Sequence, residues 1–159
     1  MILQNHSAGF LYFKRLLVSQ GYQLQETIPF NYGRHELIKT DKGNFYAIFK
    51  RDLFMTFSYK FPELMKKYPS LNGAGESVNV ESLYKAKDFN ATLIIIYEDR
   101  KVYYYPNKIE ELITFCASEG LVREQDKYNK YTKRDCSGNH SLIQEKTFSF
   151  PIRLLVRWE

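Results

Sequence analysis

The run Thr92-Leu93-Ile94-Ile95-Ile96-Tyr97 constrains this chain more than any other stretch. β-Branched side chains are stiff at χ1 and suit the pleated surface of a strand. An almost uninterrupted apolar strand leaves no face for solvent, so it belongs in the middle of a sheet covered by helices on both sides. The expected architecture is therefore α/β, with a mixed central sheet flanked by helices.

Periodicity elsewhere fills in that frame. Phe10, Phe13 and Leu17 share a helical face over Ala8 to Gln20, with Ser7 placed to cap and Gly21 to stop it. Tyr22 to Ile28 alternates like a strand and is expected to end at Pro29. Arg34 to Thr40 and Phe45 to Lys50 read as a hairpin around Asp41-Lys42-Gly43-Asn44. Leu53 to Phe61, rich in Phe, Thr and Tyr, reads as a further strand, and Pro62 to Glu76, with Pro69, Asn72, Gly73 and Gly75, as a loop. Asn79 can cap a helix through Phe89 that carries Val80, Leu83 and Tyr84 on one face. Val102 to Tyr105 is the expected hairpin partner of the apolar run. Asn107 and Glu110 have capping-box spacing ahead of the stripe Ile109, Leu112, Ile113 and Cys116. The tail Phe148 to Trp158 is apolar and strand-like. No repeat, low-complexity tract or linker divides the chain, so residues 1–159 read as a single domain.

Charge narrows the partners. The formal net charge is +5 and the pI about 9.1, which favours an anionic partner. The 13 Tyr and 12 Phe supply core, and tyrosines can also stack on bases. Cys116 sits on a helical stripe as a core thiol, and Cys136 with His140 supplies only two ligands where zinc needs four. The N-terminal residues lack the charged and apolar regions of a leader, and no run approaches the about 18 apolar residues of a membrane span, so a cytoplasmic protein without a membrane partner is expected. Asn72-Gly73-Ala74-Gly75-Glu76-Ser77 lacks the lysine of a phosphate-binding loop, and no hydrolase elbow or zinc motif occurs.

Three polar residues stand out in the hairpin: Glu36 in its first strand, Asp41 at its turn, and Lys50 at the end of Ala47-Ile48-Phe49-Lys50. A helix, a three-strand meander carrying these groups, a second helix from Asn79 and the buried strand from Ala91 follow in order. This arrangement resembles the core of the PD-(D/E)XK nuclease superfamily, which includes the archaeal Holliday-junction resolvases and the restriction-endonuclease-like domains. The resemblance covers roughly Ser7 to Tyr105, with Gly21-Tyr22 after the first helix. It implies a restriction-endonuclease-like fold in which Glu36 and Asp41 hold Mg²⁺ or Mn²⁺ and Lys50 orients the attacking water. Residues i and i+2 of a strand share a face, so Ile48 stands beside Lys50 where the family places an acid. An isoleucine cannot ligate a hard cation. Each residue also has an ordinary reading: Asp41 as a turn former, Glu36 as an ion pair with His35, Lys50 as part of a solvated strand end, and His35 as a surface histidine.

The second constellation is Arg123, Lys127, Tyr128, Lys130, Tyr131, Lys133 and Arg134, basic residues interleaved with tyrosines. Such a segment can contact phosphates and stack on unpaired bases, or can be a polar surface loop. The reading that follows is a protein that binds DNA or RNA on a nuclease-like fold, with divergent or lost metal-dependent phosphodiesterase activity. The alternative is a non-catalytic scaffold or protein-interaction domain on the same fold, and a homodimer is left open.

Overall fold

The computed structural model describes residues 2–128 and 142–158. The first helix, α1 (His6–Ser19), starts two residues earlier than Ser7 would place it. Asn5 is the cap, its side chain accepting from the Ala8 N–H at 2.9 Å. Then come the antiparallel strands β1 (Leu24–Phe30), β2 (His35–Thr40) and β3 (Gly43–Lys50). Pro29 does not end β1 but lies within it. This is tolerated because β1 is the edge of its sheet, where a missing N–H need break no ladder.

Leu53 to Phe61 is not a strand. It forms a single bridge, Phe54 to Gly75, followed by the short helix α2 (Phe57–Lys60). Phe54 packs edge-on against Phe57, and Phe57 lies tilted against Phe61, with ring centroids 5.8 and 5.0 Å apart. That spacing of three and four residues is helical, and burying Phe57 completely outweighs the segment's β-rich composition. Pro62 to Glu76, expected as a loop, holds α3 (Pro62–Lys67), a 3-10 turn, and the start of β4 (Gly75–Asn79). Gly75 admits no side chain, since a Cβ there would stand 2.5 Å from the Phe57 ring and 2.8 Å from the Phe150 carbonyl.

Asn79 caps α4 (Val80–Asp88) as its position suggests, accepting from the Glu81 and Ser82 N–H groups. The apolar run becomes β5 (Ala91–Tyr97), followed by β6 (Val102–Tyr104). α5 (Ile109–Ser118) buries Ile109, Leu112, Ile113 and Cys116. Its expected capping box is not made, because the cap falls at Lys108, which offers no side-chain acceptor. The chain closes with β7 (Val122–Tyr128), β8 (Leu142–Pro151) and β9 (Val156–Arg157).

These strands form a mixed six-stranded sheet, β1-β2-β3-β5-β6-β9, and a three-stranded one, β4-β8-β7. β3 and β5 are parallel and the other pairs of the larger sheet antiparallel. The two faces of the larger sheet carry separate cores. Phe45, Ala47, Phe49, Ile94 and Ile96 meet α1, while Tyr46, Ile48, Leu93, Ile95 and Tyr97 join α4, α5 and the smaller sheet. Ile94, Ile95 and Ile96 are all fully buried, each contributing roughly 2 kcal/mol by removal from water. Local pattern does not reveal the smaller sheet, because β4 lies in a glycine-rich stretch and β7 in a polar, charged one.

Candidate functional site

Strand alternation decides which polar groups can meet. Glu36 lies opposite Ala47 in the β2–β3 register, and Ala47 faces α1. The Glu36 carboxylate accordingly pairs with Lys14 of α1 at 2.7 Å, not with its neighbour His35. Lys50 follows the parity of Tyr46 and Ile48, so it belongs to the opposite face. Asp41 lies at the other end of the hairpin, where its Oδ1 accepts from the Gln23 N–H at 2.8 Å. Glu36, Asp41 and Lys50 are therefore not brought together, and this donor set does not fit Mg²⁺ or Mn²⁺. Ile48 is 2% exposed and packed in the core. Among the described residues, no three His, Cys, Asp or Glu side chains cluster as a metal would require.

Lys50 has a different partner. Glu76 comes from β4 in the smaller sheet and is 3% exposed, with its Oε1 3.7 Å from Lys50 Nζ. Tyr97, opposite Lys50 in the parallel register, donates its hydroxyl to Glu76 Oε2 at 2.7 Å, and the Ser77 N–H donates to Oε1 at 3.0 Å. Burial raises the Glu76 pKa, while the Lys50 charge and the two hydrogen bonds pull against it. Burial, and then the Glu76 charge, raise the Tyr97 phenol and keep it protonated as a donor. Glu76 escaped the sequence reading because it sits among glycines and asparagine that look like a loop. No local spacing links it to Lys50.

Around Lys50 lies an open cleft of about 590 Å³ between the two sheets. α1 contributes His6; the β1–β2 turn contributes Asn31 and Arg34; β2 contributes His35; and the end of β3 contributes Ile48, Phe49, Lys50 and the following Arg51. Opposite them, Asn79, Thr147 and Arg123 form one row across the smaller sheet, with Glu145 nearby. Arg123 lies over the Phe54 ring, 5.4 Å from its centre. Position alone brings Lys50 and Arg123, drawn from two separate sequence constellations, into one cleft.

His35 is buried rather than on the surface. Its Nδ1 is 3.0 Å from both the Tyr46 and the Ser82 hydroxyls. Burial, with the nearby charges of Lys50 and Arg34, lowers its pKa to about 3, so it is uncharged at neutral pH. Burial also lowers the His6 pKa, and its Nδ1 has no hydrogen-bond partner. Lys127 and Tyr128 lie on β7, in a segment that is strand and not loop, whereas Lys130, Tyr131, Lys133 and Arg134, with Cys136 and His140, lie outside the described residues. Among the described residues, no helix is long and apolar enough to cross a membrane. Comparison with family models, characterised proteins and solved structures finds no match to this chain.

Proposed function

We propose that this domain binds nucleic acid in the cleft beside Lys50, on a restriction-endonuclease-like core whose metal-dependent phosphodiesterase activity is divergent or lost. The observation that carries the proposal is the lining itself: among the described residues Arg34, Lys50, Arg51 and Arg123 share it with Glu145, and the buried Glu76 pairs with Lys50. Cations drawn from both sheets into one open groove suit a polyanion, whose phosphates they would neutralise with release of counterions. The element order supports the nuclease-like core, since an α1-β1-β2-β3 meander is followed by α4 and a strand parallel to β3. The buried Ile48 and the pairing of Glu36 with Lys14 on the opposite face of the sheet support loss or divergence of the cutting chemistry.

The test is fluorescence anisotropy of labelled DNA and RNA over a salt series. Binding that weakens with salt, and weakens further on neutralising Arg34 and Arg51, is the expected result. Salt-independent or absent binding at low ionic strength would end this reading. A protein-interaction domain is the second reading. It rests on Met55, just before α2, and Tyr59 within it, which are 71% and 89% exposed.

A further inference from the structure

The hydrogen bond made by one ring nitrogen of a histidine fixes the role left to the other. His35 Nδ1 is 3.0 Å from the Tyr46 hydroxyl and 3.0 Å from that of Ser82, and the two hydroxyls are within hydrogen-bonding reach of each other. Both belong to buried residues, Tyr46 in β3 and Ser82 in the first turn of α4. Among the described residues, neither hydroxyl has a carbonyl or carboxylate to donate to. Two O–H protons therefore share one triangle with a single ring nitrogen. A proton on Nδ1 would leave one of the hydroxyls with no lone pair to donate to inside the core, where an unmade hydrogen bond is costly. A bare Nδ1 lets both hydroxyl protons find an acceptor. The triangle thus selects the neutral imidazole with its proton on Nε2.

The fold decides what that proton can meet. His35 lines the basic cleft, whereas Tyr46 and Ser82 stand outside its lining. With Nδ1 turned to the core hydroxyls, the opposite edge of the ring, which carries Nε2, is the one left for the cleft. Among the described residues Nε2 makes no hydrogen bond. Strand register sets its neighbour. His35 pairs with Ile48, and Lys50, two residues further along β3, lies on the same face. Such diagonal neighbours stand about 7–8 Å apart, close enough for a long side chain and a ring to reach one ligand group. Of the charges that act on the imidazole, that of Lys50 is the largest.

We infer that His35 Nε2–H is an uncharged hydrogen-bond donor to a phosphodiester oxygen in the cleft, forming with Lys50 a subsite for one backbone phosphate. This inference rests on the proposed nucleic-acid binding and adds the residue that orients the phosphate. An uncharged donor fixes the position of a phosphate oxygen without neutralising it, so its share of the affinity does not enter the salt slope.

Two substitutions separate the two edges of the ring. His35→Asn keeps an acceptor near the place of Nδ1 and loses the donor at Nε2, whereas His35→Gln carries an amide N–H toward the place of Nε2 and loses the acceptor. Long-range ¹H–¹⁵N NMR of the wild type reads the tautomer directly. Anisotropy of labelled DNA and RNA over a salt series reads binding, and urea unfolding is measured for each variant. At pH 7 the wild type is expected to show Nε2 protonated and Nδ1 bare. His35→Asn should bind roughly 10- to 150-fold more weakly, the range for one hydrogen bond to a charged group, with the salt slope of wild type. His35→Gln should bind close to wild type although it is the less stable of the two variants. A proton on Nδ1 would overturn the inference whatever the binding shows. Unchanged affinity in His35→Asn, or a loss in His35→Gln as large as in His35→Asn, would overturn it while leaving the cleft as a nucleic-acid site. Wild type that binds neither DNA nor RNA would overturn both this inference and the reading beneath it.

Discussion

Glu36 and Lys50 stand on opposite faces of the same sheet. Glu36 is drawn to Lys14 of α1, and Lys50 to Glu76 of the smaller sheet. Two residues that look like partners in one site thus serve separate interfaces, and the acid beside Lys50 arrives from a strand later in the chain.

Separating the two residues experimentally should show this directly. Glu36→Ala is expected to leave nucleic-acid affinity unchanged, and Lys50→Ala to lower it. In nicking assays with Mg²⁺ or Mn²⁺, any cleavage by wild type should survive Glu36→Ala. Cleavage abolished by Glu36→Ala would restore that residue to a reaction site.

Ile48→Glu places a carboxylate where the side chain is 2% exposed and packed among core residues. The expected outcome is a loss of roughly 3 kcal/mol in urea unfolding at neutral pH, partly recovered at low pH as the new acid takes a proton. Cleavage should not appear. An unchanged unfolding midpoint with gain of Mg²⁺-dependent nicking would refute this account of the position.

Phosphate contacts in the cleft have a measurable count. On duplex DNA each neutralised phosphate contributes about −0.9 to the log–log salt slope, so Arg34→Gln and Arg51→Gln should each flatten it by about 1. Lys127→Gln in β7 and Lys130→Gln, measured in the same series, report whether this basic segment adds to the same groove. A slope indifferent to Arg34 and Arg51 would move the binding face elsewhere.

His35 makes stability depend on pH. Its folded pKa of about 3 lies below the ordinary 6.5, so the stability it contributes is present above pH 6.5 and is lost as pH falls toward 3. The size is on the order of 4 kcal/mol across that window. Glu76 acts oppositely: its raised pKa gives stability that is present at low pH and lost as pH rises through the raised value. Urea unfolding from pH 7 to pH 4 should show a loss that His35→Phe flattens and Glu76→Gln deepens. Identical pH profiles for wild type and His35→Phe would contradict the burial of a neutral imidazole.

Gly75→Ala tests the junction between the small sheet and α2. The added methyl meets a backbone carbonyl as well as a ring, so it cannot be accommodated by a rotamer change alone. A loss of about 2 kcal/mol is expected in thermal or urea unfolding. A neutral substitution would mean that β4 and α2 can separate without cost.

Several elements were legible in the sequence because their signals are local. The uninterrupted Ile94-Ile95-Ile96 run lies in an interior strand, Asn79 caps its helix, and the Ile109, Leu112, Ile113 and Cys116 stripe faces the core. Hydrophobic period and capping chemistry act over a few residues, and no distant contact overrode them. The sequence also marked Lys50 and Arg123 as polar groups of interest, but not that they share a cleft. Tertiary structure decided the rest. Phe57 found a buried aromatic site and turned an expected strand into a helix, β4 and β7 gained their identity only by pairing with β8, and Glu76 reached Lys50 across the gap between two sheets. Strand parity sent Glu36 to one face and Lys50 to the other, and it depends on pairing register that no local pattern of polar residues encodes.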